Sequence, residues 1–181
     1  MALVYLVRHG KAAGSWESDL DPGLDDVGRE QAEAMAATLT AQGPLPLVTS
    51  PLRRTRETAA ALERHWGVAK VDPRIGEIPS PPIAVSRRGE WLRNILQSRW
   101  SELDQSIGFW RAQVLNALGE LIQDTVVVSH FVAINVAVGH TLKDDRVTCF
   151  RPENCSCTVL NIQDEHWKIV VLGVEGESRI F

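Results

Sequence analysis

Two histidines in this 181-residue chain follow directly on apolar runs. Arg8-His9-Gly10 comes after Leu3–Val7, and His130 comes after Thr125–Ser129. A neutral imidazole is a competent nucleophile at physiological pH, and its phosphoryl adduct is labile enough to be passed on. Arginine adds a planar pair of donors that matches a phosphate. Arg8 is one such donor. Arg54 is another, in Ser50-Pro51-Leu52-Arg53-Arg54-Thr55-Arg56-Glu57-Thr58-Ala59, where Arg53 and Arg56 compete for the part. Ser50-Pro51 reads as an N-cap and a first-turn proline, which would aim a helix N-terminus at an anion. Gly10 would let the backbone come close to a bound group. These types suit phosphoryl transfer, in which positioning and fixed positive charge do most of the work. Each also has a plain reading: Arg8 as a surface cation, His9 as a satisfied histidine in a turn, His130 as a packed core residue.

The elements that must position these residues follow from periodicity. Residues 3–7 and 125–129 are continuous apolar strands of the kind covered on both faces. Residues 26–41 read as a helix capped by Asp25, with Val27, Ala32, Met35, Ala36 and Leu39 on one side. Residues 45–49 and, weakly, 69–71 read as strands. Between them a helix carries Leu52, Thr55, Ala59, Leu62 and Trp66. Residues 72–88 hold Pro73, Pro79, Pro81 and Pro82 and read as a long loop of the kind that often carries function. Helices are expected over 90–104, 107–122 and 132–138, and strands over 156–163 and 167–174 joined at Asp164-Glu165-His166. Strand–helix alternation gives an α/β fold, a three-layer α/β/α arrangement with a mostly parallel central sheet. Ligands in such sheets sit beyond the C-terminal strand ends, which is where Arg8-His9 and His130 would converge.

Composition narrows the class. The chain is 44% hydrophobic and 23% charged, with net charge −4 and a pI of about 5.7. That is a globular balance with no global field for nucleic acid. No apolar run is long enough to span a bilayer, and Arg8 ends the apolar stretch Ala2–Val7 too early for a secretory signal. A cytoplasmic protein with no membrane or nucleic-acid partner is expected, and a homodimer stays open. Cys149, Cys155 and Cys157 form no disulfide framework. Cys155 and Cys157 fall on one face of a strand and read as structural thiols, with a metal or redox motif as the alternative. No metal-ligand spacing is evident, so no cofactor is expected.

Four segments in order, Leu6-Val7-Arg8-His9-Gly10, Ser50 to Ala59, Ile75-Gly76-Glu77 and Val127-Val128-Ser129-His130, resemble the histidine phosphatase superfamily, also called phosphoglycerate mutase-like. The stretch 24–33 resembles that family's first helix, and the likeness runs from first strand to last. It implies a single domain over 1–181, with 78–124 as a helical and loop insertion over the active site. It implies catalysis by His9, Glu77, Arg8, Arg54 and His130. His9 would be the nucleophile, His130 a phosphate ligand, and Glu77 the acid that protonates the leaving oxygen and then activates the acceptor. The family spacing selects Arg54 and leaves Arg53 and Arg56 to solvent. A partly desolvated carboxyl beside a phosphate dianion is expected to titrate high, as that role needs. Against this, a solvated surface carboxylate is the plain reading of Glu77 in its proline-rich loop.

Two departures bear on the substrate. The family often has Glu-Thr after the RHG triplet and an amide soon after, where this chain has Lys11, Ala12 and Ser15. It often continues Gly-Gly after the second histidine, where this chain has Phe131-Val132. Substrate contacts are therefore expected from Arg8, Gly10, Ser15, Arg54, His130 and Phe131, in a pocket that Phe131 narrows. Arg87, Arg88, Arg93 and Arg99 would either extend an anion-binding surface or form a solvated basic face. The implied activity is a metal-independent phosphomonoesterase, a histidine acid-type phosphatase acting on a small phosphorylated metabolite. The alternatives are a phosphoglycerate mutase-type phosphotransferase, a phosphohistidine-protein phosphatase, and a non-catalytic phosphate-binding regulator.

Overall fold

A computed structural model describes residues 1–15, 19–164 and 166–176. Its centre is the strand β1 (Ala2–Arg8), whose apolar run is buried on both faces because helices cover both. Alternation sends Val4 and Leu6 to one core and Val7 to another. The other strands are β2 (Leu47–Thr49), β3 (Lys70–Val71), β4 (Thr125–Ser129), β5 (Cys157–Gln163) and β6 (His166–Val171). They form one sheet in the order β3-β2-β4-β1-β5-β6. The pairs β3–β2, β2–β4 and β4–β1 are parallel, and β1–β5 and β5–β6 are antiparallel. The sheet is thus mixed, with its parallel half carrying both histidine segments. The turn residue Glu165 lies outside the described residues.

Two helices, α1 (Asp26–Leu39) and α2 (Arg53–Trp66), bury Ala32, Met35, Ala36, Leu39, Ala59 and Leu62 against Val7, Val126 and Val128. Asp25 caps α1 by accepting from the Gly28 N–H at 2.7 Å. Val27, expected on the apolar side, is instead 47% exposed, because it falls beside the buried stripe rather than on it. α2 also starts later than expected. Leu52 is its N-cap residue and gives no side-chain cap, since leucine has no acceptor, and the Ser50 hydroxyl bonds the Leu52 N–H and His130 instead.

The opposite face is covered by α3 (Arg88–Gln97), α4 (Gln105–Gly119) and α5 (Phe131–Leu142). The helix expected over 90–104 ends at Gln97. A separate 3-10 turn, Trp100–Glu102, follows an extended Ser98-Arg99. Of the stretch 78–124, only Ile78, Pro79, Ser80 and Arg88 line the cleft above the sheet. Leu92, Ile95, Ile107, Trp110, Val114 and Leu118 join Val4, Leu6 and Val127 in the core, so most of that stretch is a structural layer. Among the described residues no helix is long and apolar enough to cross a membrane. Cys155 and Cys157 pack against the α1–α2 side, and burial pushes both thiols up to about 12.

Candidate active site

Strand pairing explains why the two histidines meet. Arg8 stands opposite Ser129 in the parallel register of β1 and β4. The next residue on each strand is a histidine, and the His9 N–H donates to the Ser129 carbonyl at 3.0 Å. Their rings lie with centroids 5.3 Å apart at 61°. Both strands end at the same sheet edge, beneath a cleft of about 550 Å3.

His9 is 7% exposed and lines the floor of that cleft. Its Nδ1 lies 2.7 Å from the Gly10 carbonyl oxygen, which can only accept. Nδ1 therefore carries the proton, and the Nε2 lone pair is left for chemistry. Burial, then the charges of Arg54 and its neighbours, hold the imidazole well below its ordinary value, so it is neutral. Arg54, in the first turn of α2, is buried and donates from Nε to that same Nε2 at 3.2 Å. Arg8 is 2% exposed, donates to the Pro152 carbonyl at 2.8 Å, and lies over the Phe131 ring at 5.4 Å. Burial lowers its guanidinium to about 10, against the pull of Glu153 and Glu77.

Glu77 enters from the loop after β3 and faces both Arg54 and His130. Its Oε2 is 3.4 Å from Arg54 Nη2 and 3.3 Å from His130 Nδ1, and Oε1 accepts from the Ile78 N–H at 3.1 Å. The Glu77 carboxyl does not have the high value expected for the acid. Burial by itself would raise it, but His130, Arg54 and the Ile78 N–H outweigh burial and hold it down at about 2. His130 is wholly buried under the cleft floor rather than lining it, and burial holds it below its ordinary value in spite of Glu77.

The remaining expectations divide. Ser15 and Phe131 line the cleft. Phe131 is only 2% exposed, so its ring seats Arg8 and Arg151 more than it walls open space. Gly10 does not line the cleft. Its N–H donates to Thr58 Oγ1, and a Cβ there would stand 2.5 Å from the Gly28 carbonyl oxygen. Glycine is needed there for the close approach of α1. Arg53 and Arg56 are exposed, and Arg53 pairs with Glu57. Arg88 lines the cleft and donates to Ser80, while Arg87, Arg93 and Arg99 are exposed.

Two contacts of the site carried no signal in the sequence. Asn154 donates to the His9 carbonyl at 2.8 Å and lines the cleft beside Glu153. Only the antiparallel return of β5 beside β1 brings that loop there. Ser50 approaches His130 Nε2 to 2.7 Å from a position that reads as a helix cap.

Among the described residues, His9, Glu77 and His130 each offer one ligand atom, all within 4.8 Å of one another. That spacing would admit a cation. The buried Arg54 guanidinium against two of those atoms, with the buried Arg8 charge close by, opposes one and suits an anion.

Comparison with known proteins agrees with this geometry. A glucosyl-3-phosphoglycerate phosphatase of Mycolicibacterium vanbaalenii is 43% identical over 77 residues, 40% of this chain and 34% of that protein. The chain thus matches about a third of that relative's length. A Photorhabdus laumondii protein named a probable phosphoglycerate mutase is 25% identical over 92% of this chain and 88% of its own. The solved structure of mycobacterial glucosyl-3-phosphoglycerate phosphatase shares the fold, with a TM-score of 0.75 at 22% identity, covering 97% of this chain and 100% of that one. The model of the histidine phosphatase superfamily (branch 1) matches residues 4–175, and the chain belongs to that family.

Proposed function

We propose that this protein is a metal-independent phosphomonoesterase that works through a phosphohistidine at His9 on a small phosphorylated metabolite. The observation that carries this reading is the fixed tautomer of His9. Nδ1–H is held by the Gly10 carbonyl, so Nε2 keeps its lone pair, which accepts from Arg54 until an anion draws that guanidinium away. In the first step Nε2 bonds to phosphorus and the ester P–O bond breaks. Arg8 and Arg54 take the charge on the equatorial oxygens. Bound phosphate brings negative charge to Glu77 and draws Arg54 away from it, raising the carboxyl so that it holds the proton the leaving oxygen takes. In the second step Glu77 accepts a proton from water as the water oxygen bonds to phosphorus. The P–N bond breaks and phosphate leaves. Family membership and the phosphatase name of one relative support this reading.

A mutase shares the first step and differs in who receives the phosphoryl group, and the likeness to the Photorhabdus protein keeps it as the second reading. The test is a rapid quench with a radiolabelled aryl phosphate. An acid-labile, base-stable label should appear on the protein and turn over to free phosphate. In folded His9→Ala it should be absent, with phosphate release down at least about a thousandfold. Most of the activity surviving in that variant would overturn the mechanism. Interconversion of 2- and 3-phosphoglycerate outpacing hydrolysis would replace phosphatase by mutase.

A further inference from the structure

The second histidine is anchored from below by a residue that no part of the chemistry above uses. Ser50 follows β2 directly and is wholly buried, as is His130. Ser50 Oγ stands 2.7 Å from His130 Nε2 and also accepts from the Leu52 N–H at 3.3 Å. On the other side of the ring, Nδ1 stands 3.3 Å from Glu77 Oε2.

The donor and acceptor roles in this chain can be assigned from its ends. Leu52 contributes an amide, which can only donate, so the Ser50 oxygen is an acceptor there and its own hydrogen is free to donate onward. Glu77 is held ionised by its neighbours and offers only lone pairs. The nitrogen facing it must therefore bear the hydrogen. The Glu77 end demands Nδ1–H toward the carboxylate, and the Ser50 hydroxyl, with its hydrogen free, matches that tautomer by donating to bare Nε2. The hydrogen bonds then run in one direction, from Leu52 N–H to Ser50 O–H to His130 Nε2, each strengthening the next, while Nδ1, which makes no hydrogen bond among the described residues, is left facing Glu77. The opposite tautomer would set a lone pair against the Glu77 carboxylate and against any anion over His9.

We propose that Ser50 is the positioning residue of His130, its hydroxyl donating to Nε2 and fixing the ring so that Nδ1–H is presented to Glu77 and to an anion bound over His9. The consequence for turnover rests on the phosphatase reading above, while the tautomer does not. The plain alternative is that Ser50 only tidies the approach to α2 through Leu52. Its backbone bonds, the N–H donating to the Val128 carbonyl and the carbonyl accepting from Thr55 Oγ1, do not involve the hydroxyl and survive in Ser50→Ala.

The test joins nitrogen-15 spectroscopy of the histidines to kinetics. In the unmodified protein at neutral pH, His130 should show a protonated Nδ1 and an Nε2 lone pair shifted by an accepted hydrogen bond. In Ser50→Ala the Nε2 resonance should move toward the value of an unbonded lone pair. Phosphate release should fall by about ten- to a hundredfold, mainly in kcat, and in a His130→Gln background Ser50→Ala should cost less than about twofold more. A protonated Nε2 in the unmodified protein would overturn the proposal, as would an unmoved resonance in Ser50→Ala. Full additivity with His130→Gln would assign Ser50 to the start of α2 instead. Should the expected tautomer be present while no labelled His9 is ever found, the positioning stands and the phosphatase reading falls.

Discussion

Arg54 donates its Nε–H to Nε2 of His9 at 3.2 Å, so in the free site the nucleophilic lone pair is occupied by the very group that would hold the phosphate. The same guanidinium reaches Glu77 at 3.4 Å with Nη2. Entry of an anion offers Arg54 a better partner than either, and its departure would uncover His9 and release Glu77 together.

Removing Arg54 should therefore act on two measurements in opposite senses. The Arg54 charge helps to hold His9 below its ordinary value, so His9 should titrate higher in Arg54→Ala, read by NMR. Phosphate release should fall at least about a hundredfold all the same, because the transition-state charge loses its clamp. Arg54→Lys keeps a charge but not the paired donors, and should recover only a small part. An unchanged His9 titration in Arg54→Ala would mean that the pair is not formed in solution.

The sequence carried the parts of this site that depend on strand ends. Val4, Leu6 and Val7, with Val126 to Val128, announce two strands buried on both faces, and parallel pairing does the rest. What it could not carry are contacts made across long chain separations. Asn154 reaches His9 from 145 positions away through the antiparallel strand β5, and no spacing rule marks it. Ser50 reads locally as a cap, because a serine before proline and a helix has that use far more often than as a partner of a distant histidine. Glu77 departs from its expected titration for a related reason: the Arg54 and His130 groups that hold it down come from α2 and the end of β4, not from the loop around it.

Glu77 supplies the pH prediction. In the free protein it is ionised, held at about 2, whereas the acid role requires a proton. An anion over His9 should raise it, and a group whose pKa rises on binding takes up protons. Sulfate is a suitable probe, since it brings no proton of its own at about pH 5. Its binding, followed by calorimetry in buffers of differing ionisation enthalpy, should show net proton uptake. His9 and His130, also held low, would add to that uptake, so the assignment rests on the difference in Glu77→Gln, which should take up fewer protons. Identical uptake in the two proteins would show that Glu77 stays ionised and serves only to hold Arg54 and His130.

Gly10 makes a prediction about stability rather than binding. A Cβ at Gly10 would lie 2.5 Å from the Gly28 carbonyl oxygen, and one at Gly28 would lie 2.1 Å from that of Lys11. The two glycines let the start of α1 sit against the end of β1, so the obstacle is backbone on each side and cannot turn away. Gly10→Ala and Gly28→Ala should each destabilise the fold by about 2 kcal/mol, seen as a lower denaturant midpoint. Unchanged midpoints would return Gly10 to the ligand-binding role that its place in the RHG triplet suggests.

Phe131 separates two accounts of specificity. Read as a wall, it would exclude bulky leaving groups, and Phe131→Gly would broaden the substrate range. The structure gives the ring another task, since it is 2% exposed and lies 5.4 Å from the Arg8 guanidinium and 5.8 Å from that of Arg151. Such contacts are worth about 0.5–2 kcal/mol each, depending on how far the cation is desolvated. Arg8 is buried, which puts its contact toward the upper end. Loss of the ring should thus loosen Arg8 and weaken phosphate binding whatever group is attached to it. Phe131→Leu, which keeps most of the volume and removes the π face, is the cleaner variant. We expect it to raise KM by about three- to tenfold for compact and bulky phosphate esters alike, and to weaken inhibition by inorganic phosphate in step. A rise in KM confined to one class of leaving group, with phosphate inhibition unchanged, would show that Phe131 contacts the organic part of the substrate and that Arg8 is held well enough without it.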